Sequence, residues 1–279
     1  MRNLKRIGFI GQGKLARGLS ALFHESYPNA EIQVWSRSDI NKPLKYWSTN
    51  TPMRDMDVDL LILAVNDSEI ASVARQLAEH TLNAKLVIHC SGNLGVDALS
   101  PLASQDCALA AVHPAFSFTG APVKRTDFAG ATVCVESLRG HQPFLEALFS
   151  PFAAKLIFSE HISRAQYHAA SVMASNLLVG LSHAAQDLAM ESGMTAEHAA
   201  GLVNSLMLNT LQNIQSSSAK EALTGPIKRG DIATIEKHLA ALEAKPEVRN
   251  VYTSLSTLIS ELAHDNNATA QQLRELLAK

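Results

Sequence analysis

Gly8-Phe9-Ile10-Gly11-Gln12-Gly13-Lys14-Leu15-Ala16-Arg17-Gly18 follows a short basic stretch and opens a helix-period run. A glycine loop between a buried strand and a helix turns the chain sharply and leaves backbone amides facing outward. Gly11 permits the tight turn, Gly13 lets another group approach the backbone, and Ala16, small where a third glycine is usual, lets helix and strand pack closely. The helix N-terminus favours an anion, so Gly11, Gln12, Gly13, Lys14 and Leu15 form a candidate diphosphate cradle.

The same alternation continues outward from this loop. Apolar runs at 6–10, 31–35, 59–65, 85–89, 108–112 and 131–135 read as buried strands, with helix-period stretches at 15–23 and 69–79 between them. This predicts an α/β fold whose N-terminal part is a doubly wound parallel sheet of the Rossmann type. After a last strand at 155–158 the pattern is helical only, which predicts a dinucleotide-binding domain over 1–159 and an all-helical domain, completing the substrate site, over 160–279. Ser163 and Gln166 read as a capping box opening one long helix that continues to Gly193. That helix is apolar nearly all round, so it should be enclosed by its own domain or by a partner subunit. Further helices are expected at 196–214, 232–243, 246–264 and 268–277, with Thr195 and Asp231 as N-caps.

Composition narrows the function classes. The 279 residues are 47% hydrophobic and 18% charged, and 24 basic against 26 acidic residues give a net charge of -2. Nothing in that balance marks a nucleic-acid or anionic-membrane surface, so a small-molecule partner is expected. Cys90, Cys107 and Cys134 form no CxxC pair, and the odd count argues against a disulfide framework, which points to the reducing cytoplasm. The apolar stretch behind Arg2, Lys5 and Arg6 is broken by Gly8 and Gly11 and reads as a strand, neither a signal peptide nor a membrane span.

Ligands in open α/β sheets bind beyond the carboxyl ends of the strands, so the residues there are the site candidates. At the end of the second strand Ser36-Arg37-Ser38 stands where NAD-specific proteins carry an acidic residue. Arg37 suits a ribose 2′-phosphate through paired charge-assisted hydrogen bonds, and the serines can add more, which favours NADP. Were Arg37 solvated and Asp39 turned to the ribose, the preference would reverse. Val65, Asn66 and Asp67, then Ser91 and Gly92, border the cofactor from the next strand ends. His113 is placed to polarise a substrate group, with a loop-bound structural histidine as the plain alternative; a metal held by His89, Cys90 and His113 lacks a recognised spacing.

On the long apolar helix His168 and Asn176 fall on one face two turns apart, where His168 can supply a proton and Asn176 can orient a substrate. The segment Leu223-Thr224-Gly225-Pro226-Ile227-Lys228-Arg229-Gly230-Asp231 is either a rigid turn or a device aiming Arg229 at a carboxylate and Thr224 at a carboxamide. There is no Tyr-x-x-x-Lys pair, Gly-x-Ser-x-Gly elbow, His-Glu-x-x-His or Walker loop.

Together the glycine loop, residues 64–67 and 89–92, His113-Pro114, residues 167–176 and the Leu-Thr-Gly-Pro-Ile-x-Arg-Gly-Asp segment resemble a Rossmann-like family labelled NADP oxidoreductases, with a helical C-terminal domain of unknown function. More distantly the chain is similar to pyrroline-5-carboxylate reductase, ketopantoate reductase and the β-hydroxyacid dehydrogenases. The resemblance implies an all-helical second domain like the C-terminal domain of 6-phosphogluconate dehydrogenase, a homodimer through that domain, and hydride transfer between NADPH and a small keto or imino substrate, expected to carry a carboxylate. Two of those relatives use a helix lysine followed by an asparagine; the matching region here offers His168 and Asn176 and no lysine. A non-catalytic NADP sensor is the alternative, since it would need only the Rossmann half.

Overall fold

The computed structural model describes residues 4–40, 43–49, 57–137, 142–158, 162–265 and 267–278. Its strands are β1 (Arg6–Ile10), β2 (Glu31–Trp35), β3 (Trp47–Ser48), β4 (Asp57–Leu63), β5 (Asn83–His89), β6 (Ala108–Ala115), β7 (Thr132–Ser137) and β8 (Lys155–Phe158). They form one sheet in the order β3-β2-β1-β4-β5-β6-β7-β8. β1 to β6 are parallel, as expected, whereas β7 runs antiparallel to β6 and carries β8 parallel to itself. The link at 116–131 explains the reversal: it holds only the four-residue helix α3 (Arg125–Phe128), too little helix to cross the sheet and start a parallel strand.

The strands are apolar throughout because both sheet faces are covered. Adjacent residues point to opposite faces, so Phe9 joins Phe23, Phe149 and Phe152 in one core while Ile10 joins Leu61, Ile70 and Val87 in the other. Helices α1 (Lys14–Ser26) and α4 (Gln142–Phe149) contribute to the first core and α2 (Asp67–Ala78) to the second.

Asp59 is the buried charge that ties this sheet together. Its carboxylate accepts from the Lys5 and Arg6 amides at 2.8 and 3.1 Å and from Lys85 Nζ at 2.5 Å. Burial alone would raise its pKa, but the Lys85 bond and the two amides win and hold it below the ordinary carboxylate value. A depressed folded pKa gives stability that is present above the unfolded pKa and is lost as pH falls through the folded one. Asp59→Asn should therefore cost about 2 kcal/mol near neutral pH, with the difference from wild type shrinking below about pH 4 in urea titrations.

The chain divides into two compact units, Met1–Asn176 and Leu177–Lys279. The boundary expected between 159 and 160 lies outside the described residues. The predicted single helix over 163–193 is two helices, α5 (Arg164–Ala174) and α6 (Asn176–Glu191), interrupted where Ser175 adopts φ -123°, ψ -72°. Ser163 stands at the N-cap position but its side chain makes no capping bond, so the expected capping box is not formed. Neither helix has a buried residue, and Met173, Leu177 and Val179 are 58%, 57% and 70% exposed. Enclosure within its own domain is thus overturned.

The second unit continues with α7 (Ala196–Ser216), α8 (Ala219–Ala222), α9 (Gly225–Arg229), α10 (Ile232–Ala241), α11 (Pro246–His264) and α12 (Ala268–Leu277). Thr195 and Asp231 cap α7 and α10 through the His198 and Thr234 amides, each at 3.2 Å. Its core is small, built on Ile227, Ile235, Leu239, Leu273 and Leu277. Among the described residues no helix is long and apolar enough to cross a membrane.

Candidate functional site

The carboxyl ends of β1, β2 and β4 enclose a cleft of about 320 Å³ walled by Gly11, Gln12, Gly13, Ser36, Arg37, Ser38, Val65 and Asn66, together with Glu69 and Val73 of α2. Gly11 makes the turn at φ +115° and donates its amide to the Trp35 carbonyl at 2.8 Å. A Cβ there would lie 2.2 Å from the Ala64 carbonyl oxygen, so no side chain is accommodated. Gly13 differs: its backbone is ordinary extended chain at φ -66°, ψ -177°, and a Cβ would meet nothing within 4 Å. Its missing side chain keeps open the space in front of α1. The N-terminus of α1 has neither a side-chain cap nor an acidic residue in its first turn. Lys14 and Leu15 open that turn, and Ala16 is fully buried beneath it. An uncapped terminus fronted by open space is a ready anion site.

At the β2 end Gln12 Nε2 donates to Ser36 Oγ and Ser38 Oγ, both at 3.1 Å, and to the Asp39 carbonyl at 3.0 Å. The glutamine thus fixes the loop that carries Arg37. The Arg37 guanidinium pairs with Glu69 at 2.8 Å. Glu69 escaped the sequence reading; its signal was a carboxylate one turn into the helix that follows the Val65-Asn66-Asp67 strand end.

A second cluster lies at the ends of β5, β6 and β7, under the start of α5. His113 Nδ1 and the Tyr167 hydroxyl are 2.7 Å apart, and the His113 and His168 ring centroids are 6.3 Å apart. Gly92 makes the juxtaposition possible, since a Cβ there would lie 2.7 Å from His168 Nδ1 and 3.0 Å from His113 Nε2. Burial, reinforced by the nearby His168 and Arg164 charges and opposed by Asp67, pushes the His113 pKa down to about 4. Burial also lifts Tyr167 to about 12. At neutral pH the pair is therefore an uncharged imidazole against an intact phenol.

Glu136 braces this cluster by accepting from Arg164 Nε at 2.9 Å and Nη2 at 2.5 Å, and from the Val96 amide at 3.1 Å. Arg164 Nη1 and His168 Nδ1 are buried and have no hydrogen-bond partner among the described residues. Unpaired buried polar atoms are costly and are normally completed by water or a ligand. Neither Arg164 nor Glu136 was singled out from sequence, because their pairing depends on β7 and α5 meeting.

Other candidates take plainer places. Ser91 is buried and its hydroxyl accepts from the Asn93 and Leu94 amides at 3.1 and 3.0 Å, so it shapes the loop. His89 accepts from the Ser91 amide at 3.2 Å and meets the Gly95 carbonyl at 2.8 Å, leaving neither ring nitrogen for a metal. Burial pushes Cys90 up to about 12, and no metal-binding group of His, Cys, Asp or Glu occurs among the described residues. The interruption at Ser175 separates His168 from Asn176: His168 lies in α5 beside Gly92, and Asn176 is an exposed residue beginning α6. In the second unit Arg229 ends α9 as an exposed residue, while Ile227 between the two glycines is buried and its carbonyl bonds His264 Nε2 at 2.8 Å. The conspicuous segment therefore builds a short packed helix.

Residues 6–114 match a Rossmann-like domain and residues 131–259 match a domain of unknown function, DUF2520. The two matches follow one another along the chain. Strands β7 and β8 fall within the DUF2520 match, so Glu136, Arg164, Tyr167 and His168 come from that domain and meet Gly92 and His113 of the Rossmann-like one. This agrees with the family resemblance read from the glycine loop and the 223–231 segment. No curated protein matches the sequence. Solved structures of similar fold include TM1727 of Thermotoga maritima, at 23% identity and TM-score 0.66 over 93% of this chain and 98% of that one. BF3122 of Bacteroides fragilis, provisionally named an NADP oxidoreductase, gives 21% and 0.73 over 92% and 98%. Pyrroline carboxylate reductase of Plasmodium falciparum, solved with NADP bound, gives 18% and 0.64 over 99% of both chains. At these identities the likeness is one of fold.

Proposed function

We propose that the chain is an NADP-dependent oxidoreductase acting on a small ketone or imine that carries a carboxylate. The observation that carries this reading is the cradle: a Cβ at Gly13 would enter open space before the uncapped end of α1. The backbone at 11–15 fits a diphosphate, and Arg37 with Ser36 and Ser38 fits the extra phosphate of NADP. Val65 and Asn66 wall the same cleft. The NADP named for two structures of similar fold supports the choice. When bound, the dinucleotide supplies or accepts a hydride.

The chain's own residues supply polarity and position. In the tautomer that carries its proton on Nε2, His113 accepts from the Tyr167 phenol at Nδ1 and presents Nε2 near Gly92 as a neutral hydrogen-bond donor to a carbonyl or imine. His168 is the proton donor beside it, and the unpartnered Arg164 Nη1 suits an anionic substrate group. Asn176 and Arg229 are retained as substrate-orienting candidates. NADPH oxidation should accelerate with some keto or imino acid. Tight binding without turnover over a broad panel would remove the enzymatic reading and leave a sensor.

The exposed apolar residues of α6, α7 and α11 support assembly with a second copy; Val179, Leu206, Leu208 and Leu258 are 70%, 58%, 62% and 56% exposed. Light scattering should give a dimer for the native chain and a monomer for Leu206→Glu/Leu208→Glu; a monomeric native chain would refute the assembly. The three free cysteines suit a reducing cytoplasm.

A further inference from the structure

Arg37 and Glu69 form an ion pair, 2.8 Å from Nη1 to Oε2, within the walls of the cleft. The Arg37 side chain is 69% exposed and that of Glu69 33%, so the pair is accessible to a ligand. Gln12 holds Ser36 and Ser38 by donating to both hydroxyl oxygens, which lie 3.5 Å apart, so even when one serine donates to the other, one O–H is left to donate outward. The donors at this end are preorganised, yet Arg37, the cation among the described residues that wall the cleft, is already paired with Glu69.

We infer that Glu69 sets the cofactor preference by competing for Arg37; this rests on the dinucleotide reading above. The phosphate that distinguishes NADPH from NADH carries close to two negative charges, so it must draw Arg37 away from Glu69 and tolerate the carboxylate left behind. The free ribose hydroxyl of NADH meets no such opposition and can donate to that carboxylate. Glu69 thus does from α2 the acidic work that NAD-specific folds place at the end of β2. The native chain should therefore favour NADPH over NADH by less than a chain lacking the Glu69 carboxylate.

Calorimetric dissociation constants for NADPH and NADH, measured on the native chain, Glu69→Gln, Arg37→Ala and the double variant, test this. In Glu69→Gln the NADPH-to-NADH affinity ratio should rise about tenfold, since an exposed pair and a carboxylate–phosphate repulsion are each worth a few-fold. Arg37→Ala should cost more NADPH affinity in the Glu69→Gln background than in the native one. Glu69→Ala, which keeps a good helix former in the first turn of α2, gives the same comparison should Gln disturb folding. An unchanged ratio with binding retained would overturn the role of Glu69 and leave the dinucleotide reading standing. Failure of the native chain to bind either cofactor would overturn both.

Discussion

Replacing His113 with alanine should lower turnover by about 10²–10⁴-fold while leaving NADPH affinity within about twofold. The size follows from the position of the ring: its Nε2 faces Gly92 and His168, and its Nδ1 is held by Tyr167, so the donor is aimed before any substrate arrives. A histidine held near pKa 4 is not a store of imidazolium at neutral pH; it acts as a neutral donor. The sign of the pH effect follows. As pH falls from the ordinary histidine range towards about 4, His113 takes a proton, Nδ1 stops accepting from Tyr167, and kcat should decline. Tyr167→Phe keeps the ring but releases the tautomer, so it should reduce kcat less than His113→Ala and move that acid limb upward. A His113→Ala enzyme with native turnover would place the chemistry elsewhere.

Gly11→Ala and Gly13→Ala, two residues apart, should fail in opposite ways. At Gly11 the added Cβ meets the Ala64 carbonyl oxygen and the residue sits at φ +115°, so steric overlap and backbone strain act together. The expected loss is about 3 kcal/mol or more, read as a lower urea midpoint. At Gly13 the backbone suits any residue and the Cβ meets nothing, so stability should hold or rise by about 0.5 kcal/mol. NADPH affinity should nevertheless fall about tenfold or more, because the methyl group enters the space a diphosphate needs. Native affinity in a stable Gly13→Ala protein would mean that the open space before α1 is not the binding site.

How far the sequence was legible depended on what each feature required. β1, β2, β8, α11 and α12 have the limits expected from pattern alone, because each is a continuous apolar or periodic run bounded by a clear stop. Strand β7 was read at 131–135, but its antiparallel direction was invisible, since direction is decided by the connection at 116–131 and not by the residues of the strand. The break at Ser175 was hidden for a related reason: no Gly or Pro marks it, so periodicity ran straight through. The glycine loop and Arg37 were readable because backbone sterics and charge act locally. Glu69, Glu136 and Arg164 were not, because each owes its role to a partner distant in sequence.

Isothermal titration of NADPH into the native chain at moderate salt tests the central claim most directly. Saturable one-to-one binding with a low-micromolar or tighter Kd, roughly -8 kcal/mol, is expected, with the affinity about tenfold or more weaker for Gly13→Ala. A titration without binding heat for either NADPH or NADH, on protein shown to be folded, would contradict it.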